Sequence, residues 1–395
     1  MIARSLLWIL VTALCAFGLV MISSTTGMMV GKDAEQVVTY QKILVQAIAM
    51  LGGLAAAVVL SRYIGTDRLD RIWLVALTLV VTVGALGAVL LIGREVNGAK
   101  RWINLGPINL QPSELAKIAV VIAAAWYFSH IAEKVRSVWH GVLVPLLGFA
   151  AIAGAVYATK DLGSVVVMGV VLTAMIAFAG ASLWYYLALV VMILPLGVWQ
   201  AAWSVGYRRD RMTSFLDPLH MDGPTAYHLK QSFIAIGSGG LTGAGAGQGV
   251  SKLDYLPEHH TDFIYAVVCE EYGLIGGLGL AGVYLALIAT GLAIAWQASD
   301  LHRRLLALGA TVVIGFQAFG NMLVATGAVP TKGMTLPFIS YGGTSVFCCL
   351  VLVGLIDAVA RAEARARAAD PLRPSRIGAS IRTQKAWRWT GGRTA

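Results

Sequence analysis

Residues 72–92 read IWLVALTLVVTVGALGAVLLI, a stretch without a single charge. A bilayer core of ~30 Å takes about 20 mostly apolar residues in a helix, so this stretch predicts a membrane span. Others like it lie on both sides of it. They run Ser5–Ile22, Ile43–Leu60, Leu115–Ile131, Gly141–Ala158, Ser164–Ala181, Leu183–Trp203, Phe263–Ala295, Leu305–Ala328 and Gly343–Ala360. The pattern predicts an all-α integral membrane protein of about ten transmembrane helices, with a long extracytoplasmic loop between the seventh and eighth. Phe263–Ala295 is too long for one crossing, so its start is expected to be tilted or separate. Arg4 before the first apolar run also fits a signal peptide; the spans that follow favour a retained helix.

Composition agrees. The 395 residues are 58% hydrophobic and 13% charged, against about 45–50% and about 25% in soluble proteins. So few charges cannot cover a soluble surface, and disorder is excluded by the same balance. The net charge of +10 would suggest nucleic acid in a soluble chain. Here cytoplasmic flanks of membrane helices account for much of it, and no nucleic-acid partner is expected. The four cysteines lie in or beside apolar stretches with no CxxC or Cys/His spacing, so zinc and a disulfide framework are not indicated.

An even number of spans puts both termini on one side. If that side is the cytoplasm, more than half of the 30 Lys and Arg fall inside, as the positive-inside rule requires. Residues 1–361 form the polytopic domain. Residues 362–395, rich in Arg, Ala and Ser, read as a basic, disordered cytoplasmic tail that can meet anionic lipid.

The exceptions to the charge rule are concentrated. Arg94, Lys100, Arg101 and Lys117 fall on the outer side, in a connection that also holds Trp102, Gln111-Pro112-Ser113 and Glu114. Cations held there point to an anionic partner. Trp102 suits an interfacial anchor. Ser113 is placed to cap the fourth helix, and Glu114 and Lys117 share a helical face. Lys160-Asp161 lies in a second outer connection. The long outer loop, 204–262, contains Arg208, Arg209, Arg211, Gln231 and the glycine run Gly237–Gly249. That run has no Walker or GxGxxG register, so its glycines serve close backbone approach.

The loop ends Tyr255-Leu256-Pro257-Glu258-His259-His260-Thr261-Asp262-Phe263. A carboxylate at a membrane edge can act as a base; an N-capping Asp262 is the structural alternative. The histidine pair does not make a metal site, because adjacent residues rarely point at one ion. Glu270, Glu271 and Asp357 lie inside spans, where an ionisable group faces the protein interior and pairs. The last outer connection, Val329–Ser345, has the prolines and glycines of a re-entrant or extended segment.

Three of these stretches together resemble the SEDS family (shape, elongation, division and sporulation). They are Asn97–Trp102 with Gln111–Glu114, Tyr255–Phe263 with Glu270-Glu271-Tyr272-Gly273, and Pro330–Gly333 through Leu336-Pro337 to Ser340–Gly343. The likeness covers roughly Leu6 to Ala360 and is strongest to the family's division branch. It implies a peptidoglycan glycosyltransferase that polymerises lipid II. The donor is the glycan strand on undecaprenyl diphosphate, and the acceptor is the 4-hydroxyl of the incoming GlcNAc. Asp262 is implied as the general base. Arg101, Lys117 and Lys332 would meet the diphosphate, Glu114 would orient Lys117, and Trp102, Ser340, Gly342 and Gly343 would complete the substrate site. Secondary candidates are Lys160, Asp161, Arg208, Gln231, His260 and Glu271. His260 follows a histidine where the family more often has a small residue, which leaves the local pKa environment open. The implied setting is the bacterial inner membrane at the division septum, with the site facing outward. The implied partners are a class B penicillin-binding protein and other divisome proteins. No cofactor is required by the sequence, and a divalent cation (Mg²⁺ or Mn²⁺) is compatible. A lipid II flippase, a non-catalytic scaffold, and a role in elongation or sporulation are the alternatives.

Overall fold

The computed structural model describes residues 2–27, 33–96, 99–104, 106, 109–182, 184–188, 191, 215, 224–250, 261–330 and 333–369. Most of the expected seventh span, Leu183–Trp203, and the site candidates Arg208, His260 and Lys332 lie outside the described residues.

Among the described residues, eight helices are long and apolar enough to cross a membrane. The chain enters with α1 (Ile2–Gly27) and α2 (Asp33–Val59). A π-turn, Leu60–Ile64, leads to the short α3 (Gly65–Leu69), and α4 (Ile72–Ile92) returns. Between α4 and the next helix lie the strands β1 (Arg94–Val96), β2 (Ala99–Asn104) and β3 (Asn109–Leu110), paired antiparallel in that order. Then come α5 (Pro112–His130), α6 (Val144–Ala158, after a π-turn at Trp139–Leu143) and α7 (Leu162–Ala179). The helix α8 (Pro224–Ser238) belongs to the long connection after α7. The chain closes with α9 (Ile264–Gln297), α10 (Leu301–Ala325) and α11 (Gly343–Ala369).

The starts and stops follow from local chemistry. Pro112 fills the first turn of α5, where its missing N–H costs nothing. Asp161 and Asp300 cap α7 and α10 by accepting from Ser164 N and Arg303 N. Gly180, at φ 83°, ends α7 in the left-handed region. Helices α10 and α11 are largely enclosed, while α4 exposes most of its surface in the manner of a lipid-facing span. Helix α1 packs into the core through Leu7, Val11 and Leu14. Its Gly18 lies against the Phe338 carbonyl, where any side chain would collide.

The over-long eighth span is a broken helix. Gly273, at φ 68° and ψ −169°, interrupts α9. The helical partners Leu274 N and Ile275 N turn instead to the carbonyls of Gly240 and Leu241, at 2.9 and 3.2 Å. The carbonyls of Glu270 and Glu271 are taken by Ala244 N and Gly245 N, at 2.9 and 3.0 Å. The glycine run thus fills the break and pairs these four backbone groups, which a bilayer would otherwise leave without partners. A Cβ on Gly273 would sit 2.4 Å from Gly243 N. The adjacent carboxylates, which would diverge on a regular helix, both turn to this loop. Glu270 accepts from Val250 N and Glu271 from Gly247 N and Ser24 Oγ.

The end opposite Asp262 is closed by ion pairs. Buried Asp357 takes Arg4 at 2.6 Å and Arg361 at 2.8 Å. Arg303 reaches Asp67, Asp300 and Glu363. Helix α11 continues past the boundary expected at Ala362 and runs to Ala369. Ala and Arg are strong helix formers, and Glu363 is anchored by the Ser299 amide and hydroxyl.

Gly273→Ala is therefore expected to destabilise the fold by at least about 1–2 kcal/mol, the cost of a left-handed alanine before any clash is counted. Gly279→Ala, on the same helix with open space around its Cα, should be neutral or stabilising by up to about 1 kcal/mol. Thermal unfolding of both variants in detergent separates the two; equal melting temperatures would disprove the assigned role of the break.

Candidate active site

Asp262 lies in the turn Thr261–Phe263 that delivers the chain into α9. It is not the helix cap. The cap position is Phe263, and no side chain closes it. The backbone around Asp262 is held on two sides. Asn321 of α10 donates from one amide nitrogen to the Asp262 carbonyl at 2.8 Å and to the Met334 carbonyl at 2.6 Å. The Ser340 hydroxyl donates to the Thr261 carbonyl at 2.6 Å and accepts from Leu336 N at 2.8 Å. The last outer connection is thereby stapled to the residues flanking Asp262.

That connection is a mostly buried segment, irregular over Met334–Leu336 and turning at Pro337–Ile339. Phe338, fully buried, has φ 69°, and the Tyr284 hydroxyl donates to the Pro337 carbonyl beside it. A non-glycine residue in the left-handed region is strained and persists only where its surroundings over-determine it. Gln46, also fully buried, donates to the Ser340 carbonyl and accepts from Gly342 N. Ser340 and Gly342 are thus committed to the scaffold. Gly343, at the first turn of α11, rests against Ala49.

Gly333 lies between the aspartate and the Lys117–Glu114 pair. A Cβ added there would lie 3.2 Å from Asp262 Oδ2. Gly333 also lines a cavity of ≈ 30 Å³ with Gln111, Glu114, Lys117, Ser164 and Gln317. In that cavity Lys117 Nζ meets Glu114 Oε1 at 2.6 Å, and both side chains are more than nine-tenths buried. A buried ion pair is tolerated only with excellent geometry, and removing one partner leaves a costly bare charge.

Asp161 joins the neighbouring helix ends. It accepts from Ser113 Oγ at 2.6 Å, Ser164 Oγ at 2.8 Å, Ser164 N at 3.1 Å and Gln111 Nε2 at 3.2 Å. The Ser113 hydroxyl, expected to cap α5, is spent on this carboxylate; the residue at the cap is Gln111, whose side chain makes no capping bond. Burial raises the Asp161 pKa, but the hydrogen bonds from Ser113 and Ser164 and the charge of Arg101 outweigh it. The carboxyl is held below its ordinary value. Arg101, on β2, donates to the Lys160 carbonyl at 2.6 Å, and Lys160 itself is held at φ 62°. The two outer connections are thus locked together. Trp102 is half-buried on β2 opposite Arg94.

The structure therefore brings Asp262, Gly333, Glu114, Lys117 and Ser340 into one region, with Asp161 and Arg101 as its outer brace. Glu271 belongs instead to the glycine-run contact, and Gln231 is half-buried on α8, next to Ser232, whose hydroxyl binds the Ala325 carbonyl. Asn321, Gln317 and Gln46 were not singled out from the sequence. Gln317 and Asn321, four apart in an apolar span, were the available signal, since polar groups inside a span face the protein interior. Among the described residues, no group of three His, Cys, Asp or Glu is placed to hold a metal ion.

The profile of the "Cell cycle protein" family, FtsW/RodA/SpoVE, matches residues 4–365. The chain belongs to this family. It is 38% identical over 353 residues to a probable peptidoglycan glycosyltransferase FtsW of Geobacter metallireducens, covering 88% of this chain and 92% of that one. It is 41% identical to a protein of the same name from Dichelobacter nodosus, over 69% of this chain and 70% of that one. The fold matches a chain from a peptidoglycan synthase complex, described as coordinating polymerization and crosslinking. There the TM-score is 0.73 at 30% identity, over 90% of this chain and 97% of that one. It also matches the rod shape determining protein RodA of Thermus thermophilus, with a TM-score of 0.64 at 28% identity, over 90% and 96% of the two chains. Family membership fits the spans, the outer connections and their order in the chain.

Within this FtsW/RodA/SpoVE chain the Asp161 brace has a pH signature. A carboxyl with a depressed folded pKa stabilises above its unfolded value, about 3.9, and that contribution is lost as pH falls through the folded value. Asp161→Asn is expected to lower the melting temperature at pH 7, with the gap to wild type narrowing below about pH 4. Unfolding curves at several pH values check it; a gap independent of pH would show that the charge of Asp161 does no stabilising.

Proposed function

We propose that this protein is a peptidoglycan glycosyltransferase of cell division, with Asp262 as its general base. The observation that carries the reading is Gly333, which lies between the Asp262 carboxylate, 3.2 Å from where a Cβ would stand, and the Lys117–Glu114 cavity that it lines. A base and a buried cation beside one passage suit a transfer in which an acceptor hydroxyl loses a proton while a diphosphate leaves. Asp262 takes the proton from the 4-hydroxyl of the GlcNAc on lipid II. The new glycosidic bond forms at the anomeric carbon of the strand as its bond to undecaprenyl diphosphate breaks. Lys117 offsets the negative charge gathering on that diphosphate, and Glu114 holds the ammonium in place. Arg101 and Lys332 are assigned to the same diphosphate. Asn321 and Ser340 fix the backbone beside the base.

The proposed setting is the inner membrane at the septum, with both termini cytoplasmic and the site facing outward. The proposed partner is a class B penicillin-binding protein, in keeping with the synthase complex that supplied a matching chain. Against the flippase reading, Asp357 is neutralised by Arg4 and Arg361, and Glu270 and Glu271 hold the glycine run.

Polymerisation of lipid II by the purified protein with its transpeptidase tests the proposal. Asp262→Asn is expected to lose at least about 10²-fold in rate, and Lys117→Met about 10²–10³-fold. Glycan strands from folded Asp262→Asn at the wild-type rate would remove Asp262 as the base. No strands from the wild type beside an active transpeptidase would overturn the enzyme reading.

A further inference from the structure

A second cavity, ≈ 310 Å³, lies at the end of the helices opposite Asp262. Its walls come from three places: Ser61, Gly65, Thr66 and Asp67 where α2 gives way to α3, Arg303 on α10, and the end of α11. Helices α2 and α11 meet backbone to backbone further up, where a Cβ on Gly354 would lie 2.7 Å from Ala57 Cα. Beyond that contact the π-turn Leu60–Ile64 redirects the chain, and the cavity separates the two. On α11, Ala358, Ala362 and Ala366 line it at four-residue spacing, with Arg361 and Arg365 beside them. The alanines leave the room, and the arginines supply the charge.

Three guanidinium groups line the cavity against one carboxylate, Asp67, which is 87% exposed. Arg303 pairs with Asp67 in the lining and with Asp300 and Glu363 outside it, and Arg361 pairs with Asp357 outside it. Arg365 makes no ion pair among the described residues. Arginine forks match phosphate oxygens, and the volume lies at the lower end of the range that admits a small-molecule group. The depth of the cavity indicates where that phosphate comes from. Tyr63, Trp73, Trp139 and Trp296 are exposed at this same end of their helices, as an aromatic belt at headgroup level is.

We propose that this cavity binds the phosphate headgroup of an anionic membrane lipid. Placing it on the cytoplasmic face rests on the orientation proposed above, whereas the binding itself does not depend on catalysis. The headgroup bridges α10, α11 and the α2–α3 junction, so its occupancy ties these elements together.

The test is thermal unfolding of the full chain in neutral detergent, titrated with phosphatidylglycerol, phosphatidylcholine or inorganic phosphate. Phosphatidylglycerol alone should raise the melting temperature. Arg365→Gln should weaken that response about fivefold, the loss of one cation near an anionic headgroup. Ala362→Phe, which fills the cavity, should abolish it; if that variant does not fold, Arg365→Gln decides. An equal response to phosphatidylcholine would overturn recognition of the charge. An equal response to inorganic phosphate would overturn the lipid as the source. A phosphatidylglycerol response unchanged by the substitutions would overturn the site. Polymerase activity is not read in this experiment, so its failure and that of the proposed enzyme are separable.

Discussion

The carbonyls of Glu270 and Glu271 and the amides of Leu274 and Ile275 would bond one another in an unbroken helix. In this protein Gly273 separates them, and all four find partners in the glycine run. The exchange matters because a bilayer offers no water to a bare peptide group. A break at this depth is possible only if another backbone comes close enough to satisfy it. That demands glycine on both sides: Gly243 lies against the Glu271 carbonyl, and Gly273 against Gly243. The segment of α9 before the break is thereby fixed against the outer loop, and Asp262 stands at its head.

The rest of the outer site is built by similar side chain to backbone bonds. Asn321 and Ser340 draw the last outer connection against Thr261 and Asp262, while Gln46 ties the end of that connection to α2. Asp161 does the same for the starts of α5 and α7, and through Arg101 and Lys160 for the strands above them. Lys160 and Phe338, the two non-glycine residues at positive φ among the described residues, both lie in these connections. Strain of that kind is held by surrounding bonds and gathers at functional sites. The buried Lys117–Glu114 pair sits between the two stapled regions. A lone buried ammonium would be expensive there, so the carboxylate keeps it charged and aimed.

The two ends of the molecule use charge differently. Among the described residues, the end that holds Asp262 buries the Lys117–Glu114 ion pair and a carboxylate hub around a cavity. The opposite end spreads Arg4, Asp357, Arg361, Arg303, Asp67, Asp300 and Glu363 into a network that fastens α1, α3, α10 and α11. Asp357, an intramembrane carboxylate that from sequence alone invites a functional role, is a structural anchor between two arginines.

The sequence by itself determined the membrane-spanning helical class and the excess length of the eighth apolar stretch, while the break at Gly273 came only from the structure. The first two are local properties. A bilayer reads apolar length and flanking charge directly, so an uncharged run such as Ile72–Ile92 has little alternative. The motifs around Asp262 and Lys117 were legible for the same reason, because polar residues in or beside apolar runs stand out. Only the tertiary structure decided which of them meet. Nothing in the order of residues says that Asn321 reaches the carbonyls of both Asp262 and Met334, that Ser113 serves Asp161 and not its own helix, or that Glu270 and Glu271 both hold the glycine run. Those pairings depend on angles and separations between helices distant in the chain. They are set by close packing at small residues such as Gly18, Gly273 and Gly354, where one added methyl group would push two backbones apart.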